Sequence, residues 1–173
     1  MKVIEEYDIP IHGLSEGFHN FKFEVGNSFF AYFDNIDLPG GDLIVEVILN
    51  KRTQFLEFDL IFKGNLCLVC DRCLEEFQFE IELEEKLFVR FGEAFEELDD
   101  NIIVIPREES RFNIAQFIYE FAVLSIPYKK VHPETKAGKT SCNPEMIKRL
   151  NDLRVDGTSD TTDPRWDILK NLN

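Results

Sequence analysis

The sequence lacks the motifs that identify most enzymes. It contains no glycine-rich loop that would bind phosphate, no serine–histidine–aspartate signature and no His-Glu-x-x-His helix. It also contains no internal repeat and no low-complexity tract. We therefore expect a protein that is not an enzyme, and the sequence identifies no small-molecule substrate.

Long apolar runs are missing as well. The N-terminal segment Met1–Glu6 lacks the apolar stretch of a secretory signal, and no run of about 18 apolar residues is present to span a membrane. These absences predict a cytoplasmic protein without a membrane partner. Because the cytosol keeps thiols reduced, a cluster of cysteines in such a protein favours a metal site over a disulfide.

Positive charge is scarce. The 173 residues include 19 Lys and Arg against 33 Asp and Glu, and the net charge of −14 argues against extended nucleic-acid binding. The charge is uneven, because residues 71–100 have a net charge of −9 and residues 128–154 one of +4. This pattern is typical of two solvated faces, or of an acidic face for a basic protein and a basic patch for RNA or an acidic partner.

Phenylalanine, by contrast, is abundant. With 17 Phe and 44% hydrophobic residues, the chain can bury a core without disulfides, and aromatic side chains on strands would fill it. Apolar residues alternate with polar ones from Phe77 to Phe91, which predicts one long strand, or two strands joined by a bend near Glu84-Glu85. Glu85 and Phe88 break the alternation, which favours the bend. A sheet with one solvated face is usually antiparallel.

Shorter patterns predict the remaining elements. Helical spacing covers Asn113–Ile126, where Asn113 suits the N-cap, Gln116 suits a capping box, and Pro127 ends the helix. A loop without periodicity follows from Tyr128 to Asn143. Further strands are expected at Val3–Ile9, Phe21–Val25, Leu43–Leu49, Gln54–Phe62, Leu66–Val69 and Asn101–Ile105, with a turn at Gly64-Asn65, and short helices at Pro144–Leu153 and Trp166–Leu172.

These elements predict an α+β fold. We expect an antiparallel, Phe-rich sheet or a partly open barrel, one main helix at residues 113–126, and short C-terminal helices. Residues 1–155 should form a single domain that contains the cysteines. Residues 156–173 should form a linker and a helix that the large apolar side chain of Trp166 anchors on the core.

The cysteines carry the only recognisable chemistry. Cys67, Cys70 and Cys73 lie within seven residues, and Cys142 follows much later. A Cys-x2-Cys turn aims two sulfur atoms at one point, and Zn²⁺ takes four thiolate or imidazole ligands in tetrahedral geometry. The spacing predicts a structural zinc site of Cys70, Cys73 and Cys142, with His132 or Cys67 as fourth ligand. The alternatives are four reduced thiols without metal, and a redox pair or iron–sulfur cluster.

The cysteine turn and the segments after it resemble a known family. Val69–Phe77 is similar to the Cys-x-Arg-Cys-Leu motif of the YceD-like family of large ribosomal RNA subunit accumulation proteins, which occur in bacteria and plastids. The order of later features is similar too, with a helix that ends at Pro127, then His132-Pro133, then the single Cys142. The resemblance extends into the C-terminal tail.

This resemblance implies a non-enzymatic ribosome-biogenesis factor that supports the accumulation of large-subunit ribosomal RNA. Its partner would be ribosomal RNA or a large-subunit ribosomal protein, bound through a basic loop that the metal holds in place. The positions that match the family motif are Cys70, Arg72, Cys73, His132 and Cys142. The basic residues expected to bind the partner are Arg72, Lys129, Lys130, Lys136 and Lys139.

The sequence also allows other interpretations of the cysteines and of Arg72. A metal-dependent RNA-processing enzyme would need an open position on the metal and correctly placed carboxylates. A thiol redox protein would need an exposed cysteine of low pKa. Arg72 equally suits a surface salt bridge to Glu75 or Glu76.

Overall fold

A six-stranded sheet and a separate two-stranded sheet form the framework of the chain. The computed structural model describes residues 2–35, 38–134 and 140–154. Its α and β content is mixed, as the predicted α+β class requires. In chain order the elements are α1 (Lys2–Glu5), β1 (Asp8–Pro10), β2 (Gly17–Val25), α2 (Asn27–Phe33), β3 (Gly40–Lys51), β4 (Phe55–Val69), β5 (Glu76–Gly92), β6 (Glu96–Asp99), β7 (Ile102–Pro106), β8 (Arg111–Asn113), α3 (Ala115–Leu124) and α4 (Pro144–Asp152).

The long strand β5 lies near the middle of the larger sheet. It pairs with β4 without a register shift, from Phe55 opposite Arg90 to Val69 opposite Glu76. The chain forms one long strand here, so the bend near Glu84-Glu85 that the sequence favoured is wrong. Side chains alternate as on any strand: Phe77, Ile81, Leu87 and Val89 are buried, whereas Glu80, Glu82 and Glu84 are exposed.

The larger sheet is antiparallel except at one pair of strands. Its order is β2-β3-β4-β5-β7-β6, and β7 runs parallel to β5, with Phe88 opposite Ile102. The chain reverses direction from β5 to β6, which lies beyond β7, and reverses again from β6 to β7. Strand β7 therefore runs in the same direction as β5. The expected antiparallel sheet is therefore a mixed one. Strands β2 and β6 lie at opposite ends of the order, so the sheet is open and is not closed into a barrel.

Gly64 lies inside β4, where the sequence predicted a turn. Its φ is +145°, and a Cβ atom there would lie 2.2 Å from the carbonyl oxygen of Asp42 in β3. Pairing continues through this position, with Gly64 opposite Leu43 on one side and Ile81 on the other. The predicted turn is wrong because the glycine permits a close approach of two strands rather than a reversal of the chain.

The N-terminal prediction is also corrected. The expected strand at Val3–Ile9 is divided between α1 and β1, and β1 pairs with β8, where Ile9 lies opposite Phe112. The sequence did not predict α2, whose Phe29 and Phe30 are buried in the core.

Helix α3 packs on the inner face of the larger sheet. Ile118 is fully buried, and the ring of Phe121 meets that of Phe62 edge to face at 6.2 Å. The helix is shorter than predicted. Asn113 belongs to β8, although its side-chain oxygen accepts a hydrogen bond from the N–H of Ala115 at 3.0 Å. The capping box is wrong, because the Gln116 amide instead donates to Glu120.

Helix α4 confirms the predicted helix at Pro144–Leu153. The side-chain oxygen of Asn143 accepts a hydrogen bond from the N–H of Glu145 at 2.9 Å and caps this helix. Helices α3 and α4 have 10 and 9 residues, so length does not single out one main helix. The linker and anchoring helix expected at residues 156–173 lie outside the described residues. Among those that are described, no helix is long and apolar enough to cross a membrane.

Replacing Gly64 tests the close approach of β3 and β4. Gly64→Ala should reduce the free energy of unfolding by roughly 3 kcal/mol, because the new methyl group adds a clash to a backbone conformation that alanine disfavours. Gly13 also has a positive φ, of +93°, but has open space around it, so Gly13→Ala should cost only about 1 kcal/mol. Urea unfolding measures the stability of both variants, and an equal loss of unfolding free energy in the two would contradict the proposed clash.

Candidate metal centre

Cys70 and Cys73 lie on the turn that joins β4 to β5. The N–H of Cys70 donates to the carbonyl of Glu75 at 3.0 Å, and the N–H of Leu74 donates to the carbonyl of Cys70 at 2.9 Å. Leu74 adopts a left-handed conformation, with φ of +61°, which lets the chain reverse within a few residues. Both cysteine side chains are buried, so this turn brings two thiols inward from adjacent strand ends.

His132 and Cys142 come together through a short antiparallel pairing. Glu134 and Thr140 form an isolated bridge. In the next pair outward, the hydroxyl of Ser141 donates a hydrogen bond to the carbonyl of Pro133 at 3.3 Å. One further step in the same register places His132 opposite Cys142. This register explains how two residues ten positions apart can act as a ligand pair, although that spacing is unusual for zinc.

Hydrogen bonds hold the cysteine turn against this second segment. The N–H of Asp71 donates to the carbonyl of Lys130, and the carboxylate of Asp71 accepts from the N–H of Lys130, each at 2.7 Å. The side-chain amide of Asn143 donates to the carboxylate of Glu75, also at 2.7 Å. Two segments about sixty residues apart in the chain are therefore joined on both sides of the cysteines.

Four side chains converge between the two segments. The ligand atoms of Cys70, Cys73, His132 and Cys142 all lie within 4.8 Å of one another. The Cys70 and Cys142 sulfur atoms are 3.7 Å apart, and His132 Nδ1 lies 3.4 Å from the Cys73 sulfur and 3.6 Å from that of Cys142.

These separations suit a tetrahedral ion. With zinc–sulfur bonds of about 2.3 Å and zinc–nitrogen bonds of about 2.0 Å, tetrahedral ligands lie about 3.8 Å apart for two sulfurs and about 3.5 Å for sulfur and nitrogen. A disulfide would need sulfur atoms about 2 Å apart, and all four cysteines are free. The cluster can therefore hold a metal ion.

The sulfur of Cys70 lies in an environment that favours the thiolate. Burial acts to raise the pKa of Cys70. The backbone N–H groups of Cys73 and Arg72, together with His132, donate hydrogen bonds to the sulfur and lower this pKa to about 6. Since only the thiolate binds metal, this thiol is already in the competent form at neutral pH.

Cys142 is in the opposite situation. Burial raises the pKa of Cys142, while a hydrogen bond with Thr140 acts to lower it and the nearby Cys70 and Cys73 thiols raise it further. Several thiolates cannot share this small buried volume without a compensating positive charge. A bound cation would supply that charge.

Cys67 lies outside the cluster. Its neighbours Leu66 and Leu68 are buried in the core, so Cys67 projects from the opposite face of β4. There its thiol donates to the carboxylate of Glu76 at 3.5 Å, and burial together with this contact raises the pKa of Cys67. The structure thus brings His132, rather than Cys67, to the other three side chains.

The predicted basic patch is described only in part. Arg72 is half-buried and Lys129 is exposed, while the N–H and carbonyl of Lys130 bind the cysteine turn. Lys136 and Lys139 lie outside the described residues. In the described part of the chain Arg72 forms no ion pair with a carboxylate, so its predicted salt bridge is wrong.

Sequence reasoning missed the residues that support the cluster. The ring of Phe77 lies 5.0 Å from the ring of His132 and tilts against it at 35°, which restricts the orientation of the imidazole. The Asn-Pro step at Asn143 signals the start of a helix, but no sequence signal indicates that its amide also binds Glu75. No sequence signal indicates the contact of Asp71 with the backbone of Lys130 either.

Comparison with known proteins identifies a family for this chain. The family model described as "Large ribosomal RNA subunit accumulation protein YceD" matches residues 58–173, more than half of the chain and all four clustered side chains. No curated protein and no solved structure matches the chain.

The ionisation of Cys70 can be measured in metal-free protein. The thiolate absorbance that the wild-type protein has and Cys70→Ser lacks should appear as the pH rises through about 6. The thiolate absorbance that Cys67→Ser lacks should appear above the ordinary pKa range of a thiol. Because the folded pKa of Cys70 is lower than the unfolded one, its stabilising contribution is fully present above the unfolded pKa and is lost as the pH falls through about 6. A Cys70 transition at the pKa of an ordinary thiol would contradict the assigned hydrogen bonds.

Proposed function

Since the chain belongs to the YceD family of large ribosomal RNA subunit accumulation proteins, we propose that it is a cytoplasmic ribosome-biogenesis factor that supports the accumulation of large-subunit ribosomal RNA. In this proposal it acts by binding rather than by catalysis. The observation that carries the proposal is the convergence of Cys70, Cys73, His132 and Cys142 within the residues that the family model matches.

The proposed metal is zinc in a structural role. Three cysteines and one histidine form a donor set that Zn²⁺ prefers, and four protein ligands complete its tetrahedral coordination. A catalytic zinc instead keeps one position open for water or substrate. The closed ligand set therefore favours a structural site over a metal-dependent RNA-processing enzyme.

The metal would hold the basic segment in place. When bound, the ion would be coordinated by two ligands from the β4–β5 turn and by two from the segment that follows α3. Arg72 lies between the two cysteines of the turn, and Lys129 directly precedes the residue whose backbone binds Asp71. These cations suit the phosphate backbone of ribosomal RNA, and a large-subunit ribosomal protein is the alternative partner.

A thiol redox protein is the third interpretation. The low pKa of Cys70, at about 6, would suit a reactive thiol. Its side chain, however, has 0% exposure, and those of Cys73 and Cys142 are also buried. Reactive thiols must meet their partners at the surface, so burial of all three favours metal binding.

Loss of one ligand should release the second segment more than the sheet. We expect purified protein to contain about one zinc per chain, and Cys73→Ser to lose most of it. Amide exchange should then accelerate in residues 128–134 and 140–143, because these residues depend on the metal, while β3 and β4 stay protected. The control Cys67→Ser should retain zinc. A Cys73→Ser protein with full zinc content, or with equally faster exchange in the sheet, would disprove the structural role.

Charge reversal tests the proposed RNA surface. The double variant Arg72→Glu and Lys129→Glu should weaken association with large-subunit precursor particles by about tenfold at low salt, because phosphate contacts dominate such binding. Lys22→Glu with Arg107→Glu provides the same change in net charge at exposed positions of β2 and of the residue after β7. An equal loss of particle association in the two double variants would show that binding depends only on the total charge of the protein. Association that survives ribonuclease treatment would indicate a protein partner.

A further inference from the structure

A groove lies between α3 and the β6–β7 end of the larger sheet. It has a volume of about 610 Å³. Apolar side chains from the core side line it, among them Ile103, Phe117 and Phe121. Two of its apolar residues are well exposed, since Leu98 on β6 retains 51% of its accessible surface and Leu124 on α3 retains 78%. Apolar surface of this kind, beside a groove, is typical of a site that another chain covers.

Every charged residue that lines the groove is acidic. The carboxylates belong to Glu97, Asp99, Asp100 and Glu120, and the lining includes no Lys, Arg or His. None of the four forms an ion pair within the part of the chain that the structure describes. Among the described residues, the Glu120 carboxylate accepts a hydrogen bond from the amide of Gln116 at 2.6 Å. The groove therefore carries a concentrated negative potential that no side chain in its lining neutralises.

Strand β6 also offers a backbone edge. It is the last strand in the sheet order, and no other described strand pairs with its outer side. All four of its residues are exposed. Acidic side chains on an edge strand commonly serve to prevent pairing with another chain. Here, however, the edge adjoins an apolar groove, and an extended segment with cationic side chains would satisfy the edge, the carboxylates and the apolar lining together.

We propose that this groove binds an extended, Lys/Arg-rich segment of another protein that has apolar residues between its cations. Nucleic acid does not suit the site, because four carboxylates would face its phosphates. Residues 155–173 of this chain have a net charge of −2, so electrostatic repulsion disfavours them as the occupant. The groove shares no residue with the metal centre, and the inference does not rest on the proposed function.

Binding of a synthetic peptide to the full, metal-loaded chain tests the charge requirement. The probe is a fluorescent peptide that alternates lysine with leucine or serine, and its partner probe has glutamate at each lysine. Glu97→Gln with Glu120→Gln should weaken binding of the lysine peptide by about tenfold at low salt, because two charge pairs are lost. The matched control, Glu80→Gln with Glu84→Gln on the solvated face of β5, should change it less than about twofold. Equal effects of the two doubles, or equal binding of both peptides, would overturn the proposal.

A second arm tests the apolar lining and the identity of the occupant. Leu98→Ser should weaken peptide binding by about fivefold, whereas Leu150→Ser, at an exposed leucine of α4, should have little effect. A photoreactive phenylalanine at position 98 should crosslink to the lysine peptide. Crosslinks to residues 155–173, to a second copy of the chain or to an RNA oligonucleotide instead of the peptide would overturn the proposal.

Discussion

Uninterrupted pairing between β4 and β5 determines where the rest of the structure can lie. Because the register never shifts between Phe55 and Val69, the two strands end together, and the turn between them must present Cys70 and Cys73 at one end of the sheet. The opposite end of β5 receives β7 in parallel orientation. The chain then crosses the inner face as α3, and the segment after that helix meets the cysteine turn. This regular ladder thus separates the candidate metal centre from the acidic groove beside β6.

The candidate metal centre is largely organised by the chain itself. Main-chain N–H groups of the turn already point at the Cys70 sulfur, and the bonds between Asp71 and Lys130 already join the two segments. An ion that enters such a site does not have to order the turn, and most of its binding free energy is then available to hold His132 and Cys142. This division explains why loss of one ligand should act locally rather than unfold the sheet.

The sequence predicted some features because they depend on local patterns. Alternation identified β5, the Cys-x2-Cys spacing identified the turn, and a shared loop linked His132 to Cys142. Features that depend on tertiary placement were missed. β6 contains almost only acidic residues, so no apolar alternation indicated a strand, and without β6 the parallel direction of β7 could not be inferred. A glycine in sequence looks the same whether it reverses the chain or, as at Gly64, lets two strands approach closely.

The contact between Asp71 and Lys130 involves the backbone and the side chain of Asp71 but only the backbone of Lys130. Any residue except proline can provide the N–H and the carbonyl at position 130, whereas position 71 must supply a short side chain with an acceptor oxygen. The architecture of this joint therefore constrains both the backbone and the side chain at position 71, whereas the same contact requires only a backbone N–H and a carbonyl at position 130.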